Sequence, residues 1–228
     1  MVAAALLLAV TAASPATAQA TPLLRAEFIG NMAFAITDGK TTLYTDFPYE
    51  SGYSGYMAYD FGSVNLAPNA LCLVTHGHRD HFDAGLFAKM DAKIIAPPKL
   101  AATLPPERVI TFAPRMTYRD ILVEALDTPH RNVDHRSYLV TWRGLRLYFT
   151  GDTDSTARLL AMRDLDYAFV SPWLLEMAAA QNGRIDAGTV VVYHQTSDEK
   201  VPLIQDRVVL RQGETLPLSQ VSAAAAPR

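Results

Sequence analysis

The sequence predicts a layered α/β fold, and three observations predict it. Short β-rich runs alternate with helical stretches along the chain instead of falling into separate blocks, which is the pattern of strands and helices packed in layers. Half of the 228 residues are apolar, enough to bury one substantial core within a single domain. The residues with chemical potential stand where the strand runs end.

Taken in order, Arg25 to Thr37 and Thr41 to Asp46 read as strands joined by a turn at Asp38-Gly39, a strong hairpin signal. Ala70 to Thr75 is a continuous apolar run ending at the first histidine, the signature of a strand buried on both faces. Ala84 to Met90 reads as a short helix, and Lys93 to Ala96 as a strand stopped by Pro97-Pro98. Ile121 to Leu126, Ser137 to Arg143 and Leu145 to Thr150 read as strands, the last two hinged at Gly144. Ser155 to Arg163 reads as a helix, and Leu165 to Val170, Thr189 to Tyr193 and Arg207 to Arg211 as further strands. No repeat of solenoid length is present.

The first twenty residues run without charge from an apolar stretch into Ala18-Gln19-Ala20, the pattern of a secretory signal with its cleavage site. The apolar stretch is about ten residues, where a spanning helix needs roughly twenty. The expectation is therefore export to a periplasm or the medium, with no stable membrane anchor after cleavage. A domain over 21–220 and a disordered, Ala-rich tail over 221–228 complete the organisation. Net charge is −3, with acids and bases interspersed, so nothing resembles the basic stripe that binding nucleic acid requires. Cys72, the chain's one cysteine, lies among Leu71, Leu73 and Val74 and reads as a buried structural thiol. A disulfide scaffold is excluded. The sequence carries no signal of oligomeric state, and the expected partner is a small-molecule substrate.

Chemistry concentrates in Thr75-His76-Gly77-His78-Arg79-Asp80-His81-Phe82, where three histidines and an aspartate occupy six positions. Imidazoles two residues apart at a strand end can project together onto one ion, while Asp80 and His81 around the following turn can face a second. Nitrogen-rich ligation with carboxylate suits zinc, and no cysteine pattern suggests iron–sulfur or copper–thiolate chemistry. Further ligands are available after later strands. Thr128-Pro129-His130 follows Ile121 to Leu126, Gly151-Asp152-Thr153 follows Leu145 to Thr150, and His194 follows Val190 to Tyr193. Each has a plainer alternative: Asp152 as the cap of the next helix, His194 as a core-edge histidine, and His135 in place of His130. No Gly-x-Ser-x-Gly elbow supports a serine nucleophile.

From about Glu27 to Val209 the sequence resembles the metallo-β-lactamase superfamily. The resemblance rests on Gly30-Asn31, on Asp46-Phe47-Pro48 where the family usually has Asp-Pro, on THGHRDHF, and on SYLVTWRGLRLYFTGDTD ending in Gly-Asp-Thr. It is closest in style to the ascorbate-phosphate lactonase-like branch. What it implies is a four-layer αβ/βα sandwich with metals at one edge between the sheets. His76, His78 and His130 would then hold one metal, Asp80, His81 and His194 a second, and Asp152 would bridge both. Two divalent ions are implied, zinc first, with manganese or iron as alternatives, sharing a bridging hydroxide near the carboxylates of Asp80 and Asp152. The implied activity is hydrolysis of a small ester, lactone or amide. Phosphodiester cleavage is the nearest enzymatic alternative, and a non-catalytic metal-binding protein the alternative from another class. Iron-dependent oxygen chemistry on this fold typically carries glutamate where this chain has His78, which argues for hydrolysis.

Substrate contacts are expected from the aromatic loop between Phe47 and Phe61, through Tyr53 and Tyr56, unless that loop packs on its own domain. Arg79 is a candidate for an anionic group, with a surface ion pair as its alternative. His135 is expected beside the metals, orienting a carboxylate or touching substrate. Trp173 suits either a pocket wall or the core.

Overall fold

A computed structural model describes residues 23–196 and 207–220. The expected signal segment and the tail 221–228 lie outside the described residues. One sheet holds β1 (Leu24–Gly30), β2 (Ala33–Thr37), β3 (Thr42–Thr45), β4 (Ala70–Leu73), β5 (Ala92–Ile95) and β13 (Thr215–Leu218), in the order β13-β1-β2-β3-β4-β5. The other holds β6 (Arg115–Tyr118), β7 (Ile121–Asp127), β8 (Arg136–Trp142), β9 (Leu145–Phe149), β10 (Leu165–Val170), β11 (Ala187–Val192) and β12 (Arg207–Val209), in the order β12-β11-β10-β9-β8-β7-β6. Helices α1 (Ala84–Phe87), α2 (Pro98–Ala101), α3 (Ala157–Ala161) and α4 (Pro172–Ala180) lie between strands. None of the described helices is long and apolar enough to cross a membrane.

Three apolar clusters separate four layers, as expected. Between the sheets, Phe28, Phe34, Leu43 and Leu73 of the first pack against Val140, Trp142, Leu147, Phe149 and Phe169 of the second. Phe169 is the hinge of this core, 5.1 Å edge-on from Phe34 and stacked on Phe149 at 4.5 Å. The outer face of the first sheet packs Tyr44, Cys72 and Ile94 against Phe87 of α1. On the far side, Tyr148, Ala168 and Val170 meet Leu159 of α3 and Leu174 and Leu175 of α4. Cys72 is fully buried, and burial pushes its thiol pKa far up, so it is an inert core group.

Several elements differ from the sequence reading. Arg25 to Thr37 is not one strand: Gly30 (φ 144) and Asn31 (φ 51) fold it into the antiparallel pair β1 and β2. Glycine and asparagine are the residues that take such angles at least cost, and they turn the chain there. Pro97-Pro98 does stop β5, yet Pro98 also opens α2, and Pro172 opens α4. Proline is pre-organised for a first helical turn and needs no amide donor there, so a stop signal is equally a start signal. The helix at 155–163 is shorter, covering Ala157–Ala161. β6 and β13 are short, four residues each; Pro217 is tolerated in β13 because that strand is at a sheet edge.

Strand direction decides where the site falls. β3, β4 and β5 run parallel, as do β9, β10, β11 and β12, and β7 shares the direction of β9 through the antiparallel β8. The carboxyl ends of β3 and β4 therefore meet those of β7, β9, β10 and β11 along one edge. Three hydrogen bonds tie that edge across the sandwich, and one from Asn31 ties the loop after β4 to its own sheet. Asn31 Nδ2 donates to Asp80 O at 2.8 Å, Tyr138 Oη to Val74 O at 3.0 Å, Arg136 N to Thr75 O at 2.9 Å and His194 N to Asn31 O at 2.8 Å.

Candidate metal centre

The loop after β4 turns sharply. His81 N and Phe82 N both donate to His78 O, at 3.0 and 2.9 Å, and Asp83 then caps α1 by accepting from Leu86 N. This tight turn places His76 and His78 on one side and Asp80 and His81 on the other. His130 follows β7, Asp152 follows β9 and His194 follows β11. The structure brings all seven expected ligands together in two abutting groups, His76 with His78 and His130, and Asp80 with His81, Asp152 and His194. Within each group the ligand atoms lie within 4.8 Å of one another.

The contacts are those of lone pairs converging on a shared centre. His76 Nε2 is 2.8 Å from His78 Nδ1, and His81 Nε2 is 3.2 Å from His194 Nε2. Asp152 reaches both partners of the second group, Oδ2 at 3.3 Å from His81 Nε2 and Oδ1 at 3.2 Å from His194 Nε2. Asp80 Oδ2 is 3.5 Å from both of those nitrogens. Neither ring nitrogen of the buried His130 makes a hydrogen bond among the described residues. A buried imidazole without partners is rare in a folded protein and calls for an unrepresented one. Divalent metal fits these donors, a three-nitrogen set beside a mixed nitrogen and carboxylate set.

Electrostatics agree. Burial, then neighbouring His81, drives the pKa of His76 far down, and burial with His130 lowers that of His78, so both rings are neutral ligands. Burial opposes ionisation of Asp152, but His81 and His194 outweigh it and hold the carboxyl well below the usual carboxylate range. Asp80 is held down in the same way, by His194 and His81 against burial.

Around the ligands stand groups the sequence reading did not place at the site. Asp46, at the end of β3 with φ 39, accepts from Thr75 N at 2.7 Å and lies 3.3 Å from His81 Nδ1. It thus aims the other ring nitrogen of His81 into the centre, the usual work of a carboxylate behind a metal-bound histidine. Thr75 Oγ1 lies 3.1 Å from His76 Nδ1. Asp154 Oδ2 accepts from Arg131 N and approaches His130 Nδ1 at 3.7 Å. The available signal was that Asp46, like the ligands, is a polar residue ending an apolar strand. His194 itself sits at φ 55, a left-handed angle unusual for histidine and characteristic of functional corners.

The expected substrate groups fall in different places. Tyr56 stands edge-on to His194 with ring centroids 4.5 Å apart, and Trp173, at the start of α4, does the same from another side at 4.9 Å. Tyr53 lies under the guanidinium of Arg79 at 4.9 Å, and Arg79 is ion-paired with Glu50 on the surface. Part of the aromatic loop packs on its own domain instead: Tyr59 lies 4.6 Å from Tyr49 and 5.6 Å from Phe47. His135 is 1 % exposed and buried behind Asp152, with no face toward a substrate, because both its ring nitrogens bond within the fold.

No family model matches the chain, and no curated protein matches it by sequence. Solved structures do. A protein of Parabacteroides distasonis, named as a metal-dependent hydrolase, shares 24% identity over 78% of this chain and 84% of its own, with a TM-score of 0.60. The metallo-β-lactamase fold protein YhfI of Bacillus subtilis shares 15% identity over 85% of this chain and 99% of its own, also with a TM-score of 0.60. The chain has the metallo-β-lactamase fold. The diiron β-hydroxylase CmlA of Streptomyces venezuelae shares the fold as well, at 16% identity and a TM-score of 0.54 over 78% of this chain. This chain spans only 45% of that hydroxylase. These likenesses support the superfamily's fold and not the narrower resemblance to the ascorbate-phosphate lactonase-like branch.

Proposed function

We propose that this metallo-β-lactamase-fold chain is a metal-dependent hydrolase that cleaves a small, uncharged ester, lactone or amide with water at a two-zinc centre. The observation that carries the reading is the two adjoining groups of ligand atoms, with His76 of the first 4.0 Å, ring to ring, from His81 of the second, where the two oxygens of Asp152 face His81 and His194. Two bound cations supply an acidified water and a Lewis acid for the scissile carbonyl.

The chain's own residues do the rest. Asp80 and Asp152 stay ionised in a buried setting, so they balance the cations' charge and offer acceptors that orient water. The neutral rings of His76 and His78 leave no proton competing for their ligand positions. Tyr56 and Trp173 wall the side of His194 and suit an apolar or aromatic substituent of the substrate. Two of the three nearby arginines, Arg79, Arg131 and Arg136, are already engaged: Arg79 pairs with Glu50, and Arg136 with Asp134 and Asp127. That favours a neutral substrate over a phosphodiester. We further propose export with cleavage after Ala20, which mass measurement of the mature amino terminus tests.

Metal content by mass spectrometry tests the central reading. Wild type should carry about two zinc equivalents, and Asp152→Ala and His194→Ala fewer, with loss of turnover on aryl esters and lactones. Wild type that takes up no metal even after reconstitution would overturn the proposal. Iron uptake with oxygen consumption would move it to redox chemistry.

A further inference from the structure

His135 was a competitor for the third ligand of the first metal, and the structure gives it other work. We propose that His135 is a positioning residue that fixes the loop bearing Asp152, so that this carboxylate sits correctly between two ions; the inference rests on the two-metal reading above.

Proton placement in this network is determined. His135 Nε2 accepts the N–H of Asp152 at 3.0 Å, so that nitrogen carries no hydrogen. Nδ1 is then the N–H and donates to Thr128 Oγ1 at 2.9 Å. Thr128 Oγ1 also accepts Ser137 N at 3.0 Å, which leaves its own hydrogen for Ser137 Oγ at 3.0 Å. Ser137 Oγ in turn donates to Thr150 O at 2.6 Å. The path therefore leaves the loop at the amide of Asp152 and returns at the carbonyl of Thr150, two residues earlier. The bonds of the circuit are buried, which makes it rigid and sensitive to loss of any member.

Steric packing supports the same role. Gly151, at φ 60, lies so close to the ring that a Cβ there would collide with His135 Nε2, and it would also fall 2.9 Å from Thr75 Cβ. The loop is thus clamped between His135 and the strand end that launches His76. The ring also stands 5.3 Å from His76 and 5.5 Å from His130, so it buttresses the first group while gripping the second.

The test separates the two ring nitrogens. In His135→Gln the side-chain carbonyl can accept the Asp152 N–H, as Nε2 does; in His135→Asn the shorter amide can replace Nδ1 but leaves that N–H unpaired. Zinc stoichiometry and affinity are measured by competition with a chromophoric chelator, beside the Tm of each metal-free protein. Wild type and His135→Gln should hold both ions with similar affinity. His135→Asn should weaken the ions by about 10–100-fold, the range for groups that orient ligands, while its metal-free Tm stays close to that of His135→Gln. Thr128→Val, which keeps the shape and removes the hydroxyl, should shift affinity in the same direction by less and serves if His135→Asn fails to fold. Full affinity in both His135→Asn and Thr128→Val, or equal loss in His135→Gln and His135→Asn, would overturn the positioning role. Wild type that binds no zinc would bring down the two-metal reading itself, and that shows before any variant is made.

Discussion

At the scale of residues, the site is a contrast between His76, His78 and His135, kept neutral chiefly by burial, and His81 and His194, whose pKa values rise because Asp152 outweighs burial. Burial, its largest cause, holds the pKa of His135 down at about 3, and Asp152 only partly opposes it. The sign of the consequence follows from linkage. A histidine whose folded pKa lies below its unfolded value of 6.5 contributes stability that is complete above 6.5 and is lost as pH falls toward 3. Metal-free wild type should therefore lose stability relative to metal-free His135→Gln between pH 6.5 and 5, by at most about 1.4 kcal/mol per pH unit. Urea unfolding of both proteins at pH 7.5 and 5 measures it, and a constant difference would contradict the assignment. His76, also depressed, is present in both proteins, and burial, the largest cause of its depression, is common to them. Most of these residues were legible early: H-x-H-x-D-H names four ligands by spacing alone. Asp46 was quoted only as part of a family hairpin, because a single carboxylate at a strand end has no spacing to announce its partner.

At the scale of elements, the strands build the core with their side chains, and four of them, β4, β7, β9 and β11, also deliver ligands from their carboxyl ends. β10 shows the first with least ambiguity, since Phe169 joins Phe34 of one sheet to Phe149 of its own. Phe169→Ala should cost about 3–5 kcal/mol, the usual range for truncating a buried phenylalanine, read as a lower midpoint in denaturant with an unchanged slope. A cost under about 1 kcal/mol would mean that the two sheets repack without it. Elements with strong apolar runs, such as β4 and β9, were visible in the sequence. Those that were missed, α2, α4, β6 and β13, are short, polar or opened by proline. Their conformation is set by what they pack against and not by their own composition.

At the scale of the whole molecule, two sheets supply one site, so occupancy of the site should be felt by the fold. Ligands from β4, β7, β9 and β11 converge only when both sheets are in place, and cations that bind the folded chain alone stabilise it by mass action. At free zinc about a hundredfold above its dissociation constant this amounts to about 2.7 kcal/mol, or a rise of roughly 5–10 °C in Tm for a chain of this size. Calorimetry with and without a chelator measures it, and identical transitions would mean that the ions do not bridge the sandwich. The sequence by itself determined the layered α/β class, the inert cysteine and the ligand types, because apolar runs, burial tendency and close motif spacing are local properties of a chain. Only tertiary structure decided that His135 grips the Asp152 loop, that Tyr56 and not Tyr53 reaches His194, and that Asp46 stands behind His81. Those pairings join residues 17 to 138 positions apart, and only the folding of strand ends and loops onto one edge brings them into contact.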